Sequence, residues 1–249
     1  MCGISGFYKS HGNFTSQKST YETLLHKMNH SQKHRGPDAD GIYLDDSCGL
    51  AHVRLSILDL AKGSQPMGFH TEGEDFVLVY NGEIYNMPLL RKELQQQGIT
   101  FHTTCDTEVI LKGYSFWGDA LYEKLNGIFA FAIWEAKKKQ LTLCRDRLGV
   151  KPLFFAHKDN TLIFGSEIKS LLAYDKTLAR VNKDGMCELL ALGPAHTYGK
   201  TVYQDITEVL PGTFVKIREA DFQSHTYWSL KSWEHTDSVE QTIEKTSYL

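Results

Sequence analysis

The chain opens Met1-Cys2-Gly3-Ile4-Ser5-Gly6-Phe7, and this stretch restricts the fold more than any other. Ile4 and Phe7 among small residues read as a buried strand, and the glycines at 3 and 6 suit close approach of a neighbouring backbone. Such a segment ties the N-terminus into a sheet, so residue 2 is held in place where a loose terminus would fray. Residue 2 is a cysteine. Loss of the initiator methionine gives that one residue both a thiol, ordinarily titrating near ~8.5, and an α-amine titrating near ~7.7–8.0. The amine is then a proton acceptor within reach of the sulfur, directly or through one water. Nucleophile and base come from one residue.

The 249 residues suffice for one large domain or two small ones with a real core. A net charge of −3 leaves no basic footprint for nucleic acid. No apolar run approaches the ~18 residues that a membrane span needs. The first residues have neither the basic nor the apolar region of a signal peptide, whose cleavage would remove Cys2. Cys2, Cys48, Cys105, Cys144 and Cys187 are odd in number and widely spaced, without a CxxC pair. They read as free thiols of a reducing cytoplasm and predict a cytoplasmic location.

Further along, Tyr21, Leu24, Leu25 and Met28 give residues 20–30 a helical face. His26, His30 and His34 recur every four residues there, but Lys27 stands where a zinc hydrolase of the HExxH type needs glutamate, so they read as solvent-exposed. Arg35-Gly36-Pro37-Asp38 is a helix-stopping turn. Strands are expected at Gly41–Leu44, Leu50–Ile57 and Phe76–Tyr80. Alternation sets His52 and Arg54 on one face of the second of these, and the pattern leaves open whether that face meets solvent. Asn81-Gly82 is a strong hairpin signal, yet a helix at Pro88–Gln97 follows with no clean returning strand. A backbone with exposed N–H groups at a strand end is the alternative.

A helix over Asp106–Trp117 begins with a carboxylate suited to the N-terminal end of the helix dipole, and Asp106 alone reads as its N-cap. Gly127–Glu135 and Leu141–Arg145 form a hairpin about Lys137-Lys138-Lys139. Arg145-Asp146-Arg147 reads as a salt-bridge cluster. Strands at Phe154-Phe155 and Leu162–Phe164, helices at Glu167–Leu172 and Asn182–Leu192, and a strand-rich stretch at Val202–Trp228 complete the main body. Ser238-Val239-Glu240-Gln241 has the form of a capping box, and the helical spacing after it stops at Leu249. The expectation is a domain over 1–230, then a linker and the start of a helix of another domain over 231–249.

Several stretches in order resemble one family: MCGISGFY at 1–8, RGPD at 35–38, AHVRLSILDL at 51–60, YNGEIYN at 80–86, DTEVILKGY at 106–114, LNGIFAFAIW at 125–134, RDRLGVKPLF at 145–154 and FGSEIKSLL at 164–172. The chain is similar to the class II glutamine amidotransferase domain that forms the N-terminal half of glutamine-hydrolysing asparagine synthetases of the B type. The resemblance implies an α+β fold, the four-layer αββα sandwich of N-terminal-nucleophile hydrolases with two antiparallel sheets.

It also implies roles. Cys2 matches the nucleophile. The Asn81 side-chain amide and the Gly82 backbone N–H match the oxyanion hole. Arg54 matches the clamp on the α-carboxylate of L-glutamine, Asp106 matches the partner of its α-ammonium, and the backbones at Ile57 and Glu83 match further substrate contacts. The implied reaction turns glutamine into glutamate and ammonia through a γ-glutamyl thioester, with no metal or organic cofactor. ATP, Mg²⁺ and aspartate belong to a synthetase domain, whose SGGxDS loop is absent from these residues. That domain is the expected partner, in cis or in trans, and the resemblance allows a homodimer; no nucleic acid or membrane partner is expected. Two alternatives stand beside it: a non-catalytic regulatory or docking module of the same fold, and an amidotransferase that feeds a different acceptor.

Overall fold

A computed structural model of the chain describes residues 1–56, 63–193 and 197–248. The strands are β1 (Gly3–Tyr8), β2 (Ala39–Leu44), β3 (Cys48–Arg54), β4 (Met67–His70), β5 (Asp75–Ile84), β6 (Gly127–Glu135), β7 (Gln140–Arg145), β8 (Phe154–Lys158), β9 (Thr161–Gly165), β10 (Ile206–Glu208), β11 (Thr213–Arg218) and β12 (Asp221–Thr226). The helices are α1 (Lys18–Ser31), α2 (Met87–Gln96), α3 (Asp106–Trp117), α4 (Ala120–Lys124), α5 (Ile168–Tyr174), α6 (Lys183–Leu192) and α7 (Val239–Thr246). Two six-stranded sheets result, ordered β10-β8-β9-β1-β3-β2 and β12-β11-β7-β6-β5-β4, with every strand pair antiparallel.

Strand alternation sorts the side chains into layers. Ile4, Tyr8 and Leu50 of the first sheet meet Val77, Val79, Ala130, Ala132 and Trp134 of the second in the central layer. The other face of the first sheet packs Phe7, Ala51 and Ile163 against Leu25 and Met28 of α1 and Leu171 of α5. The other face of the second sheet packs Leu78, Tyr80, Phe129 and Phe131 against α2, α3 and α4 through Leu94, Val109, Ile110 and Leu121. Helix, sheet, sheet, helix is the four-layer order that the resemblance implied.

β1 is buried along its whole length and flanked by β3 and β9, so the N-terminal segment lies inside its sheet as its spacing predicts. Gly6 is required there, because a Cβ would come within 2.4 Å of the Gly49 carbonyl oxygen. Most expected elements form near their expected bounds. β3 stops at Arg54, short of the expected end at Ile57, and Ile57 itself lies outside the described residues. The RGPD stretch begins inside a short 3-10 turn at Lys33–Arg35, after α1 has ended at Ser31. α7 has the full capping box at Ser238 and Gln241 and no buried residue. His26, His30 and His34 are exposed, as read from sequence, and His34 bonds Glu167 at 2.9 Å. No helix among the described residues is long and apolar enough to cross a membrane.

Candidate active site

Residue 2 is fixed before any ligand is considered. The Cys2 carbonyl accepts from Arg35 Nε at 2.9 Å, and Arg35 is paired with Glu167 at 3.1 Å. One residue further in, the Ile4 N–H donates to Ser166 Oγ and the Ile4 carbonyl accepts from the Ser166 N–H. Gly3 pairs with Val53, so the β1–β3 register extended by one step sets Cys2 beside Arg54. Ile4 and Leu50 share this parity and face the central layer, which directs Cys2 and Arg54 toward the second sheet. The Cys2 thiol lies 3.6 Å from the Leu55 carbonyl oxygen.

The second sheet answers with Asn81 and Gly82 of β5. They are not a hairpin turn: the strand runs through them to Ile84, opposite Ala130 and Phe129 of β6. Long-range pairing with β6 overrides the local turn preference. Asn81 has the parity of Val77 and Val79, so its side chain enters the central layer on the Cys2 side. It is 2 % exposed, and among the described residues its Nδ2 has no hydrogen-bond partner.

The Gly82 N–H follows from ladder geometry. Phe129, opposite Gly82, turns its N–H and carbonyl to Asp146, away from β5. Gly82 is therefore in a non-hydrogen-bonded pair, and its own N–H points to the outer edge of β5. β4 pairs with β5 only from Asp75 to Leu78, so that edge is open at Gly82. The neighbouring edge groups are capped by side chains: the Tyr80 N–H donates to Gln65 Oε1 at 2.6 Å, and the Ile84 N–H to Asp106 Oδ2 at 3.2 Å. The exposed N–H anticipated at a strand end sits instead on a strand edge. A Cβ on Gly82 would come within 2.3 Å of the Ile128 carbonyl oxygen, so the position tolerates no side chain.

Asp106 is the first residue of α3, one place inside the cap, which is Cys105. Its carboxylate accepts from Tyr80 Oη at 2.6 Å and from the Ile84 N–H. Burial raises its pKa, and the Tyr80 hydroxyl with the Ile84, Asp106 and Thr107 N–H groups only partly offsets that. No lysine, arginine or histidine among the described residues pairs with it, so among these residues the buried carboxylate has no counter-cation. Arg54 is 9 % exposed and His52 is fully buried, so the face they share is interior. His52 spans the two sheets: its Nε2 lies 3.2 Å from the Tyr80 carbonyl, which can only accept, so Nε2 carries the proton. Burial lowers the pKa of His52 to about 3, keeping the ring neutral.

Cys2, Arg54, Asn81, Gly82, Glu83 and Asp106 line one cavity of about 200 Å³. That is smaller than the ~300–1,000 Å³ of sites for drug-sized ligands and fits a small metabolite. The same wall holds Gln65, Tyr80, Thr107 and Lys151, which sequence reading did not single out. Tyr80 and Lys151 lie within the motifs YNGEIYN and RDRLGVKPLF, so the signal was present without a role attached. Gln65 and Thr107 act through the fold, Gln65 by capping β5 while its Nε2 donates to Thr107 Oγ1 at 3.4 Å. Arg145-Asp146-Arg147 is not a mutual salt-bridge cluster: Arg145 pairs with Glu208 at 2.8 Å, and Asp146 holds backbone N–H groups.

Comparison with known proteins bears on the family and the fold. Residues 1–228 match the model of a glutamine amidotransferase domain. The chain is 37% identical over 243 residues to asparagine synthetase [glutamine-hydrolyzing] 3 of Bacillus subtilis, covering 98% of this chain and 39% of that protein. It is 35% identical over 229 residues to asparagine synthetase [glutamine-hydrolyzing] 1 of the same organism, covering 92% and 35%. The chain thus spans well under half the length of these relatives. In fold it is similar to the glutamine phosphoribosylpyrophosphate amidotransferase of B. subtilis, with TM-score 0.65 and 20% identity over 91% of this chain and 49% of that one.

Proposed function

Because the chain belongs to the glutamine amidotransferase domain family, we propose that it hydrolyses L-glutamine to L-glutamate and ammonia, with Cys2 as nucleophile once Met1 is removed. The observation that carries this reading is Asn81 Nδ2, buried and without an acceptor among the described residues, beside the Gly82 N–H that the strand ladder turns to the outer edge of β5, on the wall of the cavity that holds the Cys2 thiol. Donors left open in a buried wall suit a negative oxygen that exists only during reaction.

The steps follow from these groups. The Cys2 thiol gives its proton to its own α-amine as the sulfur bonds to the side-chain amide carbon of glutamine. The carbonyl oxygen becomes an oxyanion that accepts from Asn81 and Gly82. The carbon–nitrogen bond then breaks, the leaving nitrogen takes the proton from the amine, and ammonia departs from a γ-glutamyl thioester. Water, deprotonated by the same amine, attacks the thioester and releases glutamate and the thiol. On the same cavity wall, Arg54 suits the planar α-carboxylate and Asp106 the α-ammonium. A ligand ammonium would supply the counter-cation that no described residue gives Asp106. The Glu83 backbone is a further contact in this reading, as is Ile57. The glutaminase step uses no metal or organic cofactor.

The ammonia serves a synthetase domain that converts aspartate to asparagine with ATP and Mg²⁺, in cis or in trans. The boundary near residue 230, a homodimeric assembly and a cytoplasmic setting belong to the same reading. The test is ammonia release from glutamine by protein shown by mass to begin at Cys2. The parent releases ammonia and Cys2→Ala releases none. Processed, folded parent that releases none leaves the non-catalytic module of the same fold as the better account.

A further inference from the structure

The glutaminase reading gives no task to Lys151, although its side chain forms part of the cavity wall with Cys2 and Glu83. Lys151 is 8 % exposed. Its backbone is clamped on both sides, the N–H by Asp146 Oδ2 at 2.9 Å and the carbonyl by Arg145 Nε at 2.9 Å, so the loop sets where the side chain starts. Among the described residues the ammonium has one hydrogen-bond partner, Met1 Sδ at 3.3 Å. A thioether is a weak acceptor, and a buried cation without an ion-pair contact is unfavourable. Burial lowers the pKa of Lys151, the Arg35 guanidinium adds to that, and Asp146, Cys2 and Glu83 act the other way. The partner is the residue whose removal exposes the Cys2 amine.

We propose that Lys151 is an electrostatic positioning residue for the nucleophile: released from Met1, its ammonium favours the Cys2 thiolate and disfavours protonation of the Cys2 α-amine. An opposite charge stabilises the first and a like charge destabilises the second, so one cation promotes the deprotonated state of both groups. The inference rests on Cys2 being the unblocked terminal nucleophile of the reading above.

Other charges and titratable groups surround Cys2. Arg35 reaches its carbonyl from the turn after α1 but is paired with Glu167. Arg54 comes from β3, Tyr80 and Glu83 from β5, and Asp106 from α3. In the glutaminase reading Arg54 and Asp106 serve the α-carboxylate and α-ammonium of the substrate. Tyr80 stays neutral, since burial lifts its pKa well above the ordinary value and Asp106 adds to this. Glu83 is exposed, and its charge opposes that of Lys151 in a position open to screening by solvent.

The experiment is the pH dependence of Cys2 alkylation by iodoacetamide in Met1-processed protein, read by mass on the N-terminal peptide, for the parent and for Lys151→Gln, Lys151→Met and Lys151→Arg. It needs no glutamine turnover. Exposed Cys187 is the internal control, and protection of buried Cys48, Cys105 and Cys144 reports that each variant is folded. Both neutral variants raise the midpoint by about one pH unit, the effect of one charge nearby in a half-solvated site, and Lys151→Arg retains the parent value. The acid limb of kcat/KM for ammonia release moves up equally, with KM nearly unchanged.

An unchanged midpoint in folded neutral variants overturns the proposal. So does a raised KM without a midpoint shift, which would make Lys151 a substrate contact. If both neutral variants unfold, added salt decides: screening must raise the parent midpoint, and a salt-independent midpoint overturns the proposal. A parent that shows the Lys151-dependent midpoint yet releases no ammonia refutes the glutaminase reading and leaves this inference standing.

Discussion

Asn81 carries a buried amide nitrogen with no acceptor among the described residues, and His52 a buried ring that bonds across the sheets. Each makes a prediction. Asn81→Ala removes a donor that the account uses only when charge develops, so kcat for ammonia release falls about 10²–10³-fold while KM stays near the parent value. A rise in KM with kcat unchanged would place Asn81 on the ground-state substrate instead. His52 is neutral in the folded protein, with a pKa of about 3 against the ordinary 6.5. Its contribution is complete above about pH 6.5 and is lost as pH falls toward 3, because the unfolded chain takes up the proton first. The loss reaches about 3 kcal/mol by pH 4. Urea unfolding at a series of pH values should therefore show a shallower decline between pH 6.5 and 4 for His52→Gln, and equal slopes would contradict the assignment. Sequence spacing put His52 and Arg54 on one face correctly. It did not say what that face meets, because the covering strand, β5, begins more than twenty residues later in the chain, at Asp75.

The clearest gap between local pattern and element is Asn81-Gly82. The pair carries the sequence of a tight turn, but pairing with β6 from Phe76 to Ile84 keeps it extended. The longer helices α1, α2, α3 and α6 were legible nearly to the residue, because their apolar periodicity is long. β4 and α4 were not expected: four and five residues are too short for a period to register. The loop after β7 rests on Asp146, which is 1 % exposed and accepts the N–H groups of Phe129, Leu148, Val150 and Lys151. Asp146→Ala strands these donors and lowers stability by at least ~3 kcal/mol, given ~1.5–3 kcal/mol for each hydrogen bond to a charged group. Hydrogen exchange should show those four amides losing protection first. Uniform loss across the molecule would assign Asp146 to the global core and not to the loop.

At the scale of the whole molecule, two sheets meet face to face, and the cavity opens where β1 and β3 of one sheet confront β5 of the other. That encounter could not be derived from strand patterns, which give neither the strand order nor the facing. The ordered motifs carried it through resemblance to a family, and residue parity then explains why Cys2, Arg54 and Asn81 converge. The chain covers 39% and 35% of two asparagine synthetases that it resembles, so the destination of the ammonia is a question about the longer assembly. The chemistry at Cys2 can be read on this chain alone. The most direct measurement is the mass of the N-terminal peptide after acid quench of Met1-processed protein turning over glutamine. The account predicts one γ-glutamyl group on Cys2, absent from Cys2→Ala and from protein that retains Met1. Ammonia release with Cys2 unmodified, or with the adduct on another residue, would contradict it.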